Sequence, residues 1–210
     1  MAETLDAAAV VAMLDAVAKA IVDQADVLTD ADLAIGDGDH GTGMKRGFEA
    51  ARAALESSPT ASIEDAFKSV GMAVLSETGG AAGAIFGTFF RAGGKALSSK
   101  ELLDGAGFAD ILESGLAAVL KRGGVTEGQK TIIDALAPAA RAARAHGGSL
   151  EGASAAAAQG ALHGVEATKE MIATTGKARS LGERSLGHPD PGAISVSIIL
   201  VAMRDFISGN

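Results

Sequence analysis

The chain has 210 residues, 26 acidic against 18 basic side chains and a net charge of −8, with no cysteine, tryptophan or tyrosine. That length suits one domain, 1–210, and leaves no place for disulfides or zinc–thiolate sites. The acidic balance, the lack of basic runs and the few aromatics argue against a nucleic-acid partner. No opening segment reads as a signal peptide and no apolar run reaches membrane-spanning length, so a soluble, cytoplasmic protein with no membrane partner is expected.

Alanine is abundant and β-branched clusters are few. Alanine is the best helix former, and small side chains let helices approach closely, so the expected class is all-α. The first helix is expected over 5–28, where Val10, Leu14, Val17 and Ile21 recur at helical spacing. A second is expected over 43–57. Ser62 with Glu64 and Asp65 reads as a capping signal for a third, over 62–76. A glycine-rich break at 79–83 leads to a fourth over 85–97. Further helices are expected over 99–121, 128–145 and 150–174. The last apolar run, 193–206, would also suit a buried strand. Asp190-Pro191 before it reads as an N-cap followed by proline in the first turn, which favours a helix. The result is a bundle of about eight antiparallel helices. Its informative residues fall in four connections, 32–43, 79–83, 122–131 and 175–192, which can meet at one end.

The first of these connections contains Asp32, Asp37 and Asp39. Gly36 and Gly38 let the backbone turn sharply, so the three carboxylates can converge. Converging carboxylates repel unless a cation sits among them, and carboxylate oxygens suit magnesium, calcium or manganese. A solvated Asp-Gly turn is the plain alternative. Gly36, Gly38 and Gly41 also match Gly-x-Gly-x-x-Gly, but that fingerprint needs a strand–turn–helix context that an all-helical chain lacks. An EF-hand loop beginning at Asp37 would want an oxygen ligand at 41 and glutamate at 48, where this chain has Gly41 and Phe48. No Gly-x-x-x-x-Gly-Lys-Ser/Thr is present, since Gly94-Lys95 runs into Ala96. Gly41-Thr42-Gly43 then opens a helix, whose free amides and positive dipole end suit a phosphate. Carboxylates for a cation thus stand beside amides for an anion, an arrangement suited to a magnesium-bound di- or triphosphate. Lys45 and Arg46 read mainly as solvent-facing, and Phe86, Phe89 and Phe90 as core.

Four stretches carry a resemblance when taken together: Asp32 with Asp37-Gly38-Asp39-His40-Gly41, GGAAGAIFGTFF at 79–90, RGGVTEGQKTIIDAL at 122–136 and LGERSLGHPDPGA at 181–193. In this order they resemble the ADP-binding L-subunit family of dihydroxyacetone kinases. The resemblance implies a barrel of eight antiparallel helices with the nucleotide at one open end. It implies two magnesium ions on Asp32, Asp37 and Asp39, and ADP or ATP contacted by His40, Gly41, Thr42 and Gly43. Ala81 and Ala82 fall where the family lines the nucleotide with a glycine-rich turn, often with a serine that is absent here. Gly123, Thr131 and Ile132 are implied near the adenine or phosphates, and Asp190, Pro191 and Gly192 close another side. Lys177 stands where many relatives carry an arginine near the phosphates.

The resemblance also implies the activity. Bound ADP serves as a coenzyme and is recharged to ATP by a phosphohistidine-carrying M subunit of a phosphotransferase system. The phosphoryl group then passes to dihydroxyacetone on a separate K subunit. No residue of this chain reads as a general base for the sugar hydroxyl, so the catalytic base is expected on the partner. His40 and His188 read as phosphate-contacting or loop-structuring rather than as phosphorylated intermediates. Two other readings stay open: a kinase for another small ketose such as erythrulose, and a regulatory module that reports phosphorylation state to a transcription factor.

Overall fold

A computed structural model describes residues 3–57, 62–146 and 148–209. Among the described residues the chain forms α1 (Ala7–Asp23), α2 (Ala25–Ile35), α3 (His40–Ser57), α4 (Ile63–Glu77), α5 (Gly80–Lys95), α6 (Gly105–Gly123), α7 (Ile133–His146), α8 (Leu150–Thr168), a 3-10 segment (Lys177–Ser185) and α9 (Pro191–Ser208). No strand occurs among the described residues beyond one isolated bridge between Leu5 and Leu103.

Eight of the α-helices are long, and they pack as a closed ring. α1 touches α3, α3 touches α4, and the order continues through α9, which returns to α1. Helices α3, α5, α7 and α9 begin at one end of this barrel, where residues 40, 80, 131 and 191 share one cleft. α6 and α8 begin at the other end, where a Cβ on Gly105 would press on the Ser149 carbonyl. Neighbours in the ring therefore run antiparallel, as expected. The short α2 lies across the cleft end, against α3 and α9.

Local sequence explains many of the helix starts. Asp6, Ser62, Asp104, Ser149 and Asp190 each accept a hydrogen bond from an amide three residues on, the usual service of an N-cap side chain. The barrel interior is filled by aliphatic side chains and an aromatic cluster in which Phe90 meets Phe48 and Phe89 edge-on, at 5.8 and 5.2 Å between centroids. Alanine and glycine allow the closest crossing: a Cβ on Gly164 of α8 would lie 2.2 Å from the Asp134 carbonyl of α7.

Several boundaries differ from the sequence expectation. The helix expected over 5–28 breaks at Gln24, and its second part continues to Ile35, so Asp32 sits on α2 and not in a loop. The helix expected from 43 begins at His40, which places Gly41 and Thr42 in its first turn. The helix expected from 99 begins at Gly105, because Asp104 caps it and 98–104 are non-helical, with Leu103 bridged to Leu5. Helix α7 begins at Ile133 rather than at 128, and α8 ends at Thr168 rather than at 174. The last run is a helix, as Asp190-Pro191 favours. Contrary to expectation, α9 is long and apolar enough by composition to span a membrane, at mean hydropathy 1.5, but over half of it is buried and it packs between α1 and α8.

Candidate functional site

The open end of the barrel holds a cleft of about 570 Å³. Its floor combines the end of α2 with the first turns of α3, α5 and α9 and the turn before α7. One wall is the connection from α8 to α9. Asp32 reaches it from the last turn of α2 and is 9% exposed. Its Oδ2 accepts from the His40 backbone N–H at 3.2 Å, which ties α2 to the start of α3. Gly36 is required beside it, because a Cβ there would lie 2.1 Å from Asp32 Oδ1.

Asp32, Asp37 and Asp39 converge. Each offers a carboxylate oxygen, and the three oxygens lie within 4.8 Å of one another. A cation already faces two of them. Lys177 Nζ donates to Asp37 at 2.6 and 2.5 Å and to Asp39 at 3.0 Å. The hydrogen bond from Lys177 holds the Asp37 carboxyl below its usual range, and Asp37 raises the Lys177 ammonium in turn. An all-oxygen, acidic donor set of this kind fits a hard divalent cation.

Beside the carboxylates lie open helix starts. Helix α5 has no side-chain cap. Its N-cap is Gly79, at φ 78°, and Gly80, Ala81 and Ala82 follow in the uncapped first turn. These amides have no acceptor within the helix and point into the cleft end, a natural seat for phosphate oxygens.

His40 lines the cleft and is fixed. Its Nε2 lies 2.8 Å from Ser195 Oγ on α9, while the Ser195 hydroxyl donates to the Pro191 carbonyl at 3.0 Å. With the hydroxyl hydrogen so placed, Nε2 carries the donated hydrogen and Nδ1 is the free acceptor. Burial pushes the His40 imidazole below its ordinary value, against the pull of Asp32 and Asp39. The ring is thus a neutral strut between α3 and α9.

Asp190 caps α9 through Ala193 N–H at 2.8 Å, and burial pushes its carboxyl up to about 7. Asp134, 5% exposed, accepts from Gly128 N–H at 2.5 Å and Thr131 N–H at 2.7 Å, and so shapes the turn that presents Thr131 and Ile132.

The cleft wall thus includes Asp32, Asp39, His40, Thr42, Gly43, Ala81, Ala82, Thr131, Ile132, Lys177, Asp190, Pro191 and Gly192. Asp37 belongs to the carboxylate cluster at the lip. Gly41 stands outside the wall, where it lets α3 close on α2: a Cβ would lie 2.1 Å from the Ala25 carbonyl. Gly123 also stands outside, behind Ile85. The sequence does not place Arg46, Thr78 and Lys130 at the site, nor the apolar Ile35, Ile85 and Phe86, the last of which reads as core. Arg46 is exposed but engaged, donating to the carbonyls of Glu77 at 2.5 Å and Thr78 at 2.9 Å at the end of α4. Thr78 is 4% exposed, and its hydroxyl has no hydrogen-bond partner among the described residues. Lys130 is 2% exposed. For Arg46 the signal was its place one turn after Gly43 on the same helix face. A loop lysine gives no sequence signal of burial, since lysines are rarely buried.

An all-α barrel whose end gathers carboxylates beside four helix N-termini defines a protein built to hold a cation next to an anion. The sequence model of the DAK2 domain matches residues 34–205, and the chain belongs to that family. The ADP-binding subunit DhaL of PEP-dependent dihydroxyacetone kinase 1 from Listeria innocua is 40% identical over 177 residues, covering 84% of this chain and 85% of that one. The DhaL subunit of the Escherichia coli PEP-dependent dihydroxyacetone kinase is 36% identical, covering 84% and 86%. The L-erythrulose 1-kinase of Mycolicibacterium smegmatis is 32% identical, and the match covers 95% of this chain but 35% of that protein. Among solved structures, the dihydroxyacetone kinase from C. freundii in complex with AMP-PNP and Mg2+ superimposes with a TM-score of 0.74 at 26% identity, over 94% of this chain and 34% of that one.

Proposed function

We propose that residues 1–210 form a single domain that serves as the ADP-binding, magnesium-dependent subunit of a cytoplasmic dihydroxyacetone kinase. The observation that carries this reading is the convergence of Asp32, Asp37 and Asp39 beside the uncapped start of α5. It is supported by relatives named as ADP-binding subunits over most of their length, and by a structural neighbour solved with AMP-PNP and Mg2+.

In this reading the aspartates hold two magnesium ions, which supply charge neutralisation for the phosphoryl groups. The amides of Gly80, Ala81 and Ala82 and the first turn of α3 hold phosphate oxygens. Apolar side chains on the cleft wall, Ile35, Ile85, Phe86 and Ile132, give the base a dry surface. The chain thus positions a nucleotide and leaves its terminal phosphate at the mouth. A dihydroxyacetone-binding K subunit brings the acceptor hydroxyl and its base, and a phosphohistidine-carrying M subunit restores ATP from ADP. Leu33, Ile172 and Leu186, all exposed, lie on α2 and on the α8–α9 connection, the two elements that meet at the cleft end, and give a partner an apolar footing.

A kinase for another small ketose is the second reading. It is favoured by the identity with L- and D-erythrulose kinases, at 32% and 33%. Both readings use the same nucleotide site, because the ketose is held elsewhere.

Reconstitution decides the first reading. Purified chain, a K subunit and a phosphoenolpyruvate-driven M subunit should convert dihydroxyacetone to its phosphate with only catalytic ADP present. No product from that mixture, with product from erythrulose, would move the assignment to the second reading. No product from either ketose would overturn the kinase assignment.

A further inference from the structure

The connection between α8 and α9 runs out over 169–189 and returns, and it carries Thr175, Gly176, Lys177 and Ala178 on the cleft wall. A connection of this length would be costly to order unless it were tied. Its two ends are closed to each other: Asp190 N–H donates to Thr168 Oγ1 at 3.0 Å and Gly187 N–H to the Lys169 carbonyl at 2.8 Å. Within it, Ala173 N–H donates to Ser185 Oγ at 3.0 Å. What fixes this arm to the barrel is a separate matter.

Lys130 lies under both ends of the arm. Its Nζ donates to the carbonyls of Thr168 at 2.5 Å, Met171 at 3.2 Å and His188 at 2.6 Å. An ammonium has three N–H donors, and all three are used. Lys130 borders the cleft, yet it has no donor left for a phosphate. Its backbone is left-handed, with φ 61°, the one such non-glycine residue among those described. A lysine is held in that conformation only where its surroundings fix it; here Asp134 holds the amides of Gly128 and Thr131 on either side, and the three carbonyls hold the end of the side chain. Burial pushes the Lys130 ammonium below its ordinary value, and the nearby Asp190 and Asp134 pull against that.

We propose that Lys130 is a positioning residue, an internal clamp that holds 169–189 as a preformed arm and so sets Lys177 over Asp37 and Asp39. Lys130 acts at the base of the arm and Lys177 at its tip. Loss of the clamp leaves three carbonyls at the arm's base without their donor, and the arm swings with the residues that line the cleft. The link to ligand binding rests on the nucleotide reading above, whereas the state of the arm does not.

The test uses the full chain with Lys130→Met. Trypsin cuts after Lys177, Arg179 and Arg184 report the arm, and cuts after Arg52 and Arg91 report the barrel helices. The expected result is arm cleavage about tenfold faster than in the wild type, barrel cleavage unchanged, and ADP binding with magnesium weakened about tenfold. Arm and barrel cleavage unchanged, or a looser arm with unaltered ADP affinity, overturns the proposal. If all bonds are cut faster together, amide hydrogen exchange of Lys130→Met under native conditions decides. The amides of Ala173, Gly187 and Asp190, which close the arm on itself and on its base, should lose protection well before those inside α3 and α5. Loss of protection at the same rate in arm and barrel, or in the barrel first, counts against the clamp. A wild type that binds no ADP with magnesium refutes the nucleotide reading, and the cleavage pattern then still judges the clamp.

Discussion

Lys177 and Asp37 are 140 residues apart in sequence, yet the Lys177 ammonium contacts both Asp37 carboxylate oxygens, at 2.6 and 2.5 Å. The contact closes the arm over the carboxylate cluster and puts a protein cation where a metal would bind. Lysine and metal therefore compete for Asp37 and Asp39. Lys177→Ala should tighten binding of Mn2+ alone to nucleotide-free protein, by about two- to tenfold, since solvent screens an exposed ion pair and leaves it a weak competitor. Titration followed by electron paramagnetic resonance measures this. Weaker Mn2+ binding in the variant would show that the lysine assists the cation.

Gly36 controls Asp32. A Cβ at residue 36 would lie 2.1 Å from Asp32 Oδ1 and 2.9 Å from the Asp32 carbonyl, so the carboxylate must swing away in Gly36→Ala. Magnesium-dependent ADP binding should fall by about tenfold or more, a loss of about 1.4 kcal/mol, while the helical circular-dichroism signal persists. Calorimetric titration checks the affinity, and an unaltered affinity would remove Asp32 from the ligand set.

Asp190 makes stability depend on pH. Its carboxyl is pushed up to about 7 from an ordinary 3.8, first by burial and then by Asp134, against the amide of Ala193 and the charge of Lys130. Between those values the folded protein keeps a proton that the unfolded chain has released. Stability therefore falls as pH rises from about 4 to about 7, and the dependence levels off above that. Asp190→Asn keeps the N-cap and has no proton to lose. The variant should gain on the wild type across that window, by a few kcal/mol at most. Urea midpoints at about pH 4.5 and about pH 8 measure the difference. Parallel behaviour of the two proteins would place the Asp190 carboxyl in its ordinary range.

Thr78 carries a buried hydroxyl without a hydrogen-bond partner among the described residues, packed against Gly47. Removing an unsatisfied polar group while keeping its shape is neutral or favourable. Thr78→Val should stabilise the protein by about 1 kcal/mol, seen as a rise in melting temperature. A clear loss of stability would reveal a partner for the hydroxyl.

Much of this architecture was legible because it is local. Helical spacing and the caps at Ser62 and Asp190 mark helices one by one, and proline after Asp190 settled a run that also read as a strand. The break at Gln24 was not legible, because no glycine or proline interrupts 5–28 and helix-forming residues continue on both sides. Its consequence is large, since it puts Asp32 on a helix. At the site, the aspartates and the glycine-rich starts of α3 and α5 stood out by composition. Lys130 did not, because its role depends on carbonyls 38, 41 and 58 residues away. Arg46 read as solvent-facing because only the fold brings the end of α4 beside it.

Native mass spectrometry of the gently purified chain, with and without EDTA, tests the central claim most directly. The wild type should carry ADP, EDTA should release it, and Asp37→Ala should retain none while keeping its helical signal. A wild type that takes up no ADP with magnesium, or an Asp37→Ala variant that keeps it, would contradict the assignment of this barrel end as a metal-dependent nucleotide site.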